Sequence, residues 1–222
     1  MQACKAEMPG DFSQNPALLA CAEDWSVLTA IYQPQVQLAV LQHPVLADPE
    51  LLTEAVASLL AQPGSPDFKL LDTPQGIALN LGKALEKTSL KTPATQAFIQ
   101  ALLTLCEAFS TLFDSKNVAL RIVRLQSAMC PKFHVDRIPV RLICTFAGPA
   151  TQWLTDDNCD RSQLGGRGDA CRDWQFIRQL TAGDVALMKG DGWEGNEGCG
   201  LVHRSPDVKD GERRLVLTLD LG

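Results

Sequence analysis

The chain has 222 residues, enough for one complete hydrophobic core and too few for two comfortable full domains. Hydrophobic residues make up 45% of it and charged residues 21%, the composition of an ordinary soluble globular protein. The net charge of -6 argues against a nucleic-acid or anionic-membrane partner, and no apolar run approaches the roughly 20 residues that span a bilayer. The N-terminal segment lacks the apolar region of a signal peptide, so we expect a cytoplasmic protein.

The first half of the chain is predicted to be mainly helical. Residues 35–41, QVQLAVL, alternate in character and predict one early strand. Asp48 then precedes PELLTEAVASLLAQPG, a helical repeat with proline in its first turn and glycine at its end. After Thr92, PATQAFIQALLTLCEAFSTLF has apolar residues at helical spacing and predicts a buried helix. Residues 68–82 stay unassigned between helix and strand.

From Asn117 the hydrophobic period changes from 3.6 to 2. The segments that alternate or run short and β-rich are VALRIVRLQ, VRLICTFAG, DVALMKG, GLVH and RRLVLTLDL. Clusters of glycine, proline, asparagine and aspartate separate them, as in an all-β barrel or jelly roll. No linker divides the two halves. We therefore expect a single α+β domain, with residues 1–115 as a mainly helical support region and residues 116–222 as a jelly-roll or cupin-like barrel.

Two of the three histidines lie in segments that could hold a metal ion. His134 and Asp136, in FHVD, are two residues apart and therefore share one face of a strand. His203, in GLVHRSP, is the candidate for a third ligand, whereas His43 is predicted to sit at a strand end without a ligand role. Two histidines and one carboxylate leave open coordination positions, the arrangement of non-haem Fe(II) oxygenases. We predict a divalent-metal site at His134, Asp136 and His203.

Arg213 lies ten residues after His203, beyond a proline and an Asp-Gly turn that can join two antiparallel strands. It alternates with Leu215, Leu217 and Leu219, which predicts a guanidinium pointing into the barrel. A buried arginine needs an anionic partner, and a carboxylate ligand would provide one through two parallel hydrogen bonds. The other interpretation is that Arg213 reaches solvent.

These motifs resemble those of the Fe(II)/2-oxoglutarate oxygenase superfamily. In that superfamily HxD precedes a strand, a Gly-Asp step leads into a buried strand, and a distal histidine is followed by an arginine. FHVD, TAGDVALMKG and HRSPDVKDGER keep this order. The resemblance implies a double-stranded β-helix with helices packed on its outside, and Fe(II) bound by His134, Asp136 and His203. It also implies that Arg213 binds 2-oxoglutarate, and that the substrate is an unidentified small molecule or protein.

Over its whole length the chain more closely resembles the bacterial domain-of-unknown-function family 1826. The blocks CPKFHVDRIPVRLICTFAGPATQWL and GNEGCGLVHRSP carry this resemblance. Members of that family are often encoded near zinc-homeostasis proteins, which implies metal-homeostasis proteins as partners. The alternative function is therefore a zinc-binding cupin-like sensor, buffer or metallochaperone partner without oxygenase activity.

Three features near the predicted site leave alternatives open. Cys130 and Cys199 each stand four residues before a ligand histidine, and a Cys2His2 set would suit tetrahedral zinc if both strands bend. Residues 193–200, which are rich in glycine, form either a lid over the pocket or a connecting loop. Residues 155–173 are expected to form a mobile insertion that covers the substrate or binds a partner.

Overall fold

A computed structural model of the protein describes residues 19–62, 67–86 and 92–222. Three α-helices occur among these residues: α1 (Pro49–Ala61), α2 (Pro74–Leu85) and α3 (Thr92–Leu112). The ten strands of the same residues are β1 (Leu19–Ala22), β2 (Leu38–Leu41), β3 (Phe68–Asp72), β4 (Val118–Leu125), β5 (Val140–Ala147), β6 (Gln152–Trp153), β7 (Arg178–Gln179), β8 (Val185–Lys189), β9 (His203–Arg204) and β10 (Arg214–Leu221). None of the three helices is long and apolar enough to cross a membrane.

The helices begin where their sequences provide caps. The Asp48 carboxylate accepts hydrogen bonds from the first backbone N–H groups of α1, and Pro49 opens its first turn, as predicted. The glycine expected at the end of α1 lies outside the described residues. The long buried helix is confirmed as α3. The unassigned residues 68–82 divide into strand β3 and helix α2, and the Thr73 hydroxyl caps α2.

The strands pair into two sheets. The larger has seven strands in the order β1-β2-β8-β5-β10-β4-β3, antiparallel throughout except for the parallel pair β1-β2. The smaller has three antiparallel strands in the order β7-β6-β9. The fold is thus a mixed α/β arrangement around a large sheet. Backbone pairing among the described strands gives these two sheets and does not by itself link them into the barrel expected from the sequence.

Both faces of the large sheet are covered by apolar side chains. On one face, Leu215 and Leu217 of β10 join Phe98 and Leu105 of α3 in the main hydrophobic cluster. On the other face, residues such as Val216 cluster with side chains from the region of the small sheet, including Trp153. Polar side chains that point toward the small sheet therefore lie on the Val216 face.

This arrangement reverses the predicted orientation of β10. The leucines face the helices, so the side that looks toward the small sheet carries Arg214 and Val216. The inward position predicted for Arg213 is wrong. Arg213 is exposed, and its guanidinium donates to the Leu60 carbonyl in the last turn of α1. Arg124 donates to carbonyls of the same turn, so both arginines satisfy acceptors that the helix leaves open.

We predict that packing of α3 against the large sheet dominates the stability of the fold. Phe98 is fully buried in the main cluster, and its replacement by alanine should lower the free energy of unfolding by about 3–5 kcal/mol. Leu79→Ala on α2 is the control, because Leu79 is 61% exposed and its loss should cost no more than about 0.5 kcal/mol. Urea denaturation of both variants measures the difference, and equal losses would contradict this assignment of the core.

Candidate metal centre

The two predicted ligand histidines are neighbours on paired main chains. The N–H of His134 donates to the carbonyl of His203, and the N–H of His203 donates to the carbonyl of His134, both at 3.0 Å. Directly opposed residues of an antiparallel pair project their side chains to the same face. The two imidazole rings accordingly lie with their centroids 4.5 Å apart. One reciprocal pair of backbone hydrogen bonds thus joins two histidines that are separated by 68 residues of sequence.

Each ring is oriented by its own backbone. Nδ1 of His134 lies 3.0 Å from the carbonyl oxygen of Lys132, and Nδ1 of His203 lies 3.0 Å from the carbonyl oxygen of Leu201. A carbonyl only accepts hydrogen bonds, so each Nδ1 carries a ring hydrogen, and in the neutral form of each ring the lone pair is on Nε2. This is the tautomer that metal-binding histidines adopt when a backbone oxygen fixes the other nitrogen.

The Asp136 carboxylate faces both imidazoles. Its Oδ1 lies 3.9 Å from Nε2 of His134, and its Oδ2 lies 3.6 Å from Nε2 of His203. Ligand atoms of the three side chains all lie within 4.8 Å of one another, a spacing that lets one ion contact all three. The structure therefore brings together the three residues predicted as metal ligands.

Burial favours the metal-binding form of His203. Desolvation lowers the pKa of this imidazole to about 4, and the nearby His134 ring adds to the effect, while the Asp136 charge opposes it. His203 is consequently neutral at physiological pH, with its Nε2 lone pair available to an ion.

Arg141 on β5 holds the Asp136 carboxylate in place. Its Nη1 donates to Asp136 Oδ2 at 2.9 Å, while its Nε and Nη2 form a bidentate pair with Asp220 of β10 at 2.8 and 2.7 Å. Burial works to lower the pKa of Arg141, but the hydrogen bond and charge of Asp220 and the charge of Asp136 outweigh it and raise the net value. Sequence reasoning missed Arg141 because its two carboxylate partners lie on different segments of the chain.

The glycines that precede His203 pack directly against the segment that carries Asp136. A Cβ at Gly190 would collide with the carbonyls of Asp136 and Ile138, and a Cβ at Gly192 would come within 2.5 Å of the Arg137 carbonyl. Residues 193–200 are anchored as well. The Trp193 ring packs at a tilt against Tyr32, and the buried Asn196 exchanges side-chain hydrogen bonds with Gln37. These contacts favour a connecting segment that supports the ligand loop over a lid.

The insertion at residues 155–173 is fixed at its two ends. The backbones of Cys159 and Cys171 pair in an isolated antiparallel β-bridge. Both side chains are buried against Phe133 and Val202, the neighbours of the ligand histidines. Arg161 reaches from the insertion to the Gly200 carbonyl at 3.0 Å. The insertion therefore packs on the Phe133 and Val202 face of the strand segments, opposite to the face that carries the imidazoles.

The rival Cys2His2 arrangement is not formed. Cys130 and Cys199 are exposed free thiols. Neither belongs to the His134, Asp136 and His203 group, which is the cluster of candidate ligands found in the described parts of the chain. Four residues of irregular chain separate each cysteine from its histidine, and neither thiol joins the ligand atoms that lie within 4.8 Å of one another.

Arg214, the neighbour of Arg213 on β10, is the buried arginine of this region. It is 2% exposed, and its Nη1 donates to the Ser205 hydroxyl at 2.5 Å. Its Nε is buried without an acceptor among the described residues. Burial lowers the pKa of Arg214 to about 10, so the guanidinium stays charged at neutral pH without a carboxylate partner.

We predict that His134 and His203 are required for metal binding and that His43 is dispensable. Replacing either ligand by alanine should abolish stoichiometric binding of Fe(II) or Co(II) in anaerobic titrations. His43→Asn is the matched control, since His43 is largely exposed and asparagine tolerates its positive φ of 42°. Unchanged affinity in His203→Ala would refute the site.

Arg141 should tune metal affinity without being a ligand. Arg141→Gln removes the charged donor to Asp136, and we expect metal affinity to fall by roughly 10–100-fold. Arg137→Gln provides a control one residue from Asp136, because the Arg137 side chain is exposed. The same titration measures both variants, and equal affinities would show that Arg141 does not position the carboxylate.

Comparison with solved structures shows the kind of fold that carries this site. The chain is similar to a rice dioxygenase for auxin oxidation, with a TM-score of 0.54 and 14% identity over 92% of this chain and 82% of the other. It is also similar to JOX2, solved in complex with 2OG, Fe and JA, with a TM-score of 0.52 and 13% identity over 95% and 77% of the two chains. A third similar structure is the Fe(II)/(alpha)ketoglutarate-dependent dioxygenase TqaL, with a TM-score of 0.50 and 12% identity over 88% of this chain and 86% of the other. At these identities the likeness establishes the fold alone.

Sequence comparison places the chain in a family. No curated protein matches it. The sequence profile described as "Protein of unknown function (DUF1826)" matches residues 22–220, which is nearly the whole chain and includes the three candidate ligands. The protein therefore belongs to the DUF1826 family, and its fold is similar to that of Fe(II)/2-oxoglutarate oxygenases.

Proposed function

We propose that the protein is an Fe(II)- and 2-oxoglutarate-dependent oxygenase that acts on an unidentified substrate, built on a double-stranded β-helix formed by its two sheets. The observation that carries the proposal is the buried guanidinium of Arg214, on the same side of the fold as the His-Asp-His cluster. It has no carboxylate partner in residues 19–62, 67–86 and 92–222.

The donor set fits iron. Two neutral imidazoles and one carboxylate form the facial group of non-haem Fe(II) oxygenases, which leaves positions free for other ligands. The oriented Nδ1 atoms and the Arg141 contact to Asp136 restrict how the three donors can turn. Two exposed thiols outside the cluster give no support to the zinc-protein alternative.

Arg214 fits a dicarboxylate co-substrate. Ser205, which accepts its hydrogen bond, is two residues beyond His203 and therefore roughly 7 Å farther along extended chain. We propose that the unsatisfied Nε and the remaining guanidinium N–H groups of Arg214 bind the distal carboxylate of 2-oxoglutarate, with Ser205 as a neighbouring donor. Burial makes this pair stronger than it would be in water, because little solvent screens it.

The chain's own residues then have distinct tasks. When bound, iron would supply activation of O2, which no amino-acid side chain provides. His134, Asp136 and His203 would hold the ion, Arg141 would keep the Asp136 carboxylate aligned, and Arg214 would orient the co-substrate. The apolar cluster that includes Val216 and Trp153 would exclude water from the space between the sheets.

We expect Arg214→Leu to lower the affinity for 2-oxoglutarate by more than tenfold while leaving metal affinity nearly unchanged. The reason is the loss of charge-assisted hydrogen bonds worth about 1.5–3 kcal/mol each. Calorimetric titration of the anaerobic Fe(II) protein with 2-oxoglutarate measures the effect.

Arg213→Leu is a matched control from the adjacent position. Because Arg213 is exposed and contacts α1, this variant should bind 2-oxoglutarate as the parent does. A parent protein that binds no 2-oxoglutarate would rule out the oxygenase proposal. Loss of 2-oxoglutarate binding in Arg213→Leu but not in Arg214→Leu would instead support Arg213 as the co-substrate residue, as the sequence suggested.

A further inference from the structure

A cavity of about 360 Å³ borders His134 and is lined on several sides by cationic residues. Its walls come from the segment around His134, from β9 and from the insertion at residues 155–173. The cationic members are Lys132, Arg167 and Arg204. Its volume lies in the range of small-molecule sites. Such a concentration of positive charge stands out in a protein whose net charge is -6.

Arg204 is held rigidly at this cavity. Its guanidinium lies between two aromatic rings, 4.7 Å from the centroid of Phe133 and 4.8 Å from that of Trp174. Its Nε donates to Oε1 of Gln152 at 2.8 Å, and this leaves the two terminal nitrogens for a ligand. A stacked and anchored guanidinium loses little conformational freedom when it binds a planar anion.

The cations of the cavity lack acidic partners. Within the described residues, the ion pairs involve none of Lys132, Arg167 and Arg204. The carboxylate that lines the cavity belongs to Asp169, whose Oδ1 already accepts the backbone N–H of Cys171 at 2.9 Å. The uncompensated charge of the cavity is therefore positive.

We infer that this cavity binds the anionic group, a carboxylate or a phosphate ester, of the small-molecule substrate. This inference rests on the proposed oxygenase function and assigns its substrate class. Arg204 is the primary contact, because its free N–H fork matches the oxygens of either anion. Lys132 and Arg167 add charge, and the half-exposed Trp174 ring offers an apolar surface to the rest of the molecule.

The position of the cavity suits a substrate subsite. Lys132 supplies the carbonyl that orients the His134 ring. Arg204, the neighbour of His203 on β9, projects to the face opposite the His203 imidazole, so the cavity borders the metal centre through His134. The His134 side chain is itself about one-third exposed and lines the cavity. A small molecule anchored by Arg204 therefore approaches the metal centre from the His134 side, separate from the carboxylate site assigned to Arg214.

Two aryl anions test the site directly. Metal-free protein is titrated with benzoate and with phenyl phosphate, which separate the carboxylate and phosphate possibilities without any contribution from metal coordination. We expect at least one probe to bind the parent, and Arg204→Gln to weaken it at least tenfold. Arg204→Lys keeps the positive charge but loses the two parallel N–H donors of the guanidinium, and should weaken probe binding less than Arg204→Gln does. Arg137→Gln, at an exposed arginine outside the cavity, should bind the probe like the parent.

The second measurement places the bound probe relative to the metal. With Co(II) at the His134, Asp136 and His203 site, the proton signals of the bound probe should broaden by paramagnetic relaxation. The broadening should disappear in Arg204→Gln, whereas a probe coordinated only to the ion would still broaden in that variant.

The outcomes separate the two proposals. No probe binding to the parent, or equal affinity in Arg204→Gln, would overturn the anion subsite. Failure of the Fe(II) protein to bind 2-oxoglutarate, together with Arg204-dependent probe binding, would overturn the oxygenase function and still support the anion site.

Discussion

The reciprocal backbone hydrogen bonds between His134 and His203 are the contact on which the whole site depends. They join a segment that precedes β5 to one that follows β8, and they place both imidazoles on one face. Asp136, two residues along, then falls on the same side, within ion-pair distance of both rings. A slip of one residue in this pairing would turn one histidine to the opposite face and separate the ligands.

Arg141 connects this small pairing to the large sheet. By bridging Asp136 to Asp220, it ties a ligand on an irregular segment to the central strand β10. Arg214 extends from the opposite end of the same strand to Ser205, just after His203. Two polar contacts from β10 thus fix both ligand segments against the sheet. The glycines at 190 and 192 complete the arrangement, since only a residue without a side chain lets the connecting segment approach the Asp136 backbone so closely.

The sequence could predict what depends on local spacing and could not predict what depends on which face is covered. Two residues of separation place His134 and Asp136 on one side of any strand, so that part of the site follows from the motif. The orientation of β10 does not follow, because both of its faces are covered, one by α3 and the other by the region of the small sheet, and the leucine pattern does not tell which side carries the site. Assigning the leucines to the interior therefore selected Arg213 instead of Arg214. Contacts between distant segments, such as Arg141 with Asp220, leave no periodic signal at all.

Charge compensation explains why the arginines around the site have different roles. Arg141 is matched by two carboxylates, so it contributes rigidity and little net potential. Arg213 and Arg124 are engaged by carbonyls at the end of α1 and serve the fold. Among the residues that the structure describes, Arg214 and Arg204 have a hydroxyl or an amide oxygen as partner and no carboxylate. Because a desolvated cation without a counter-charge is costly, the buried Arg214 points to an anion that binds beside it, and the partly buried Arg204 keeps free N–H groups for a second, separate anion.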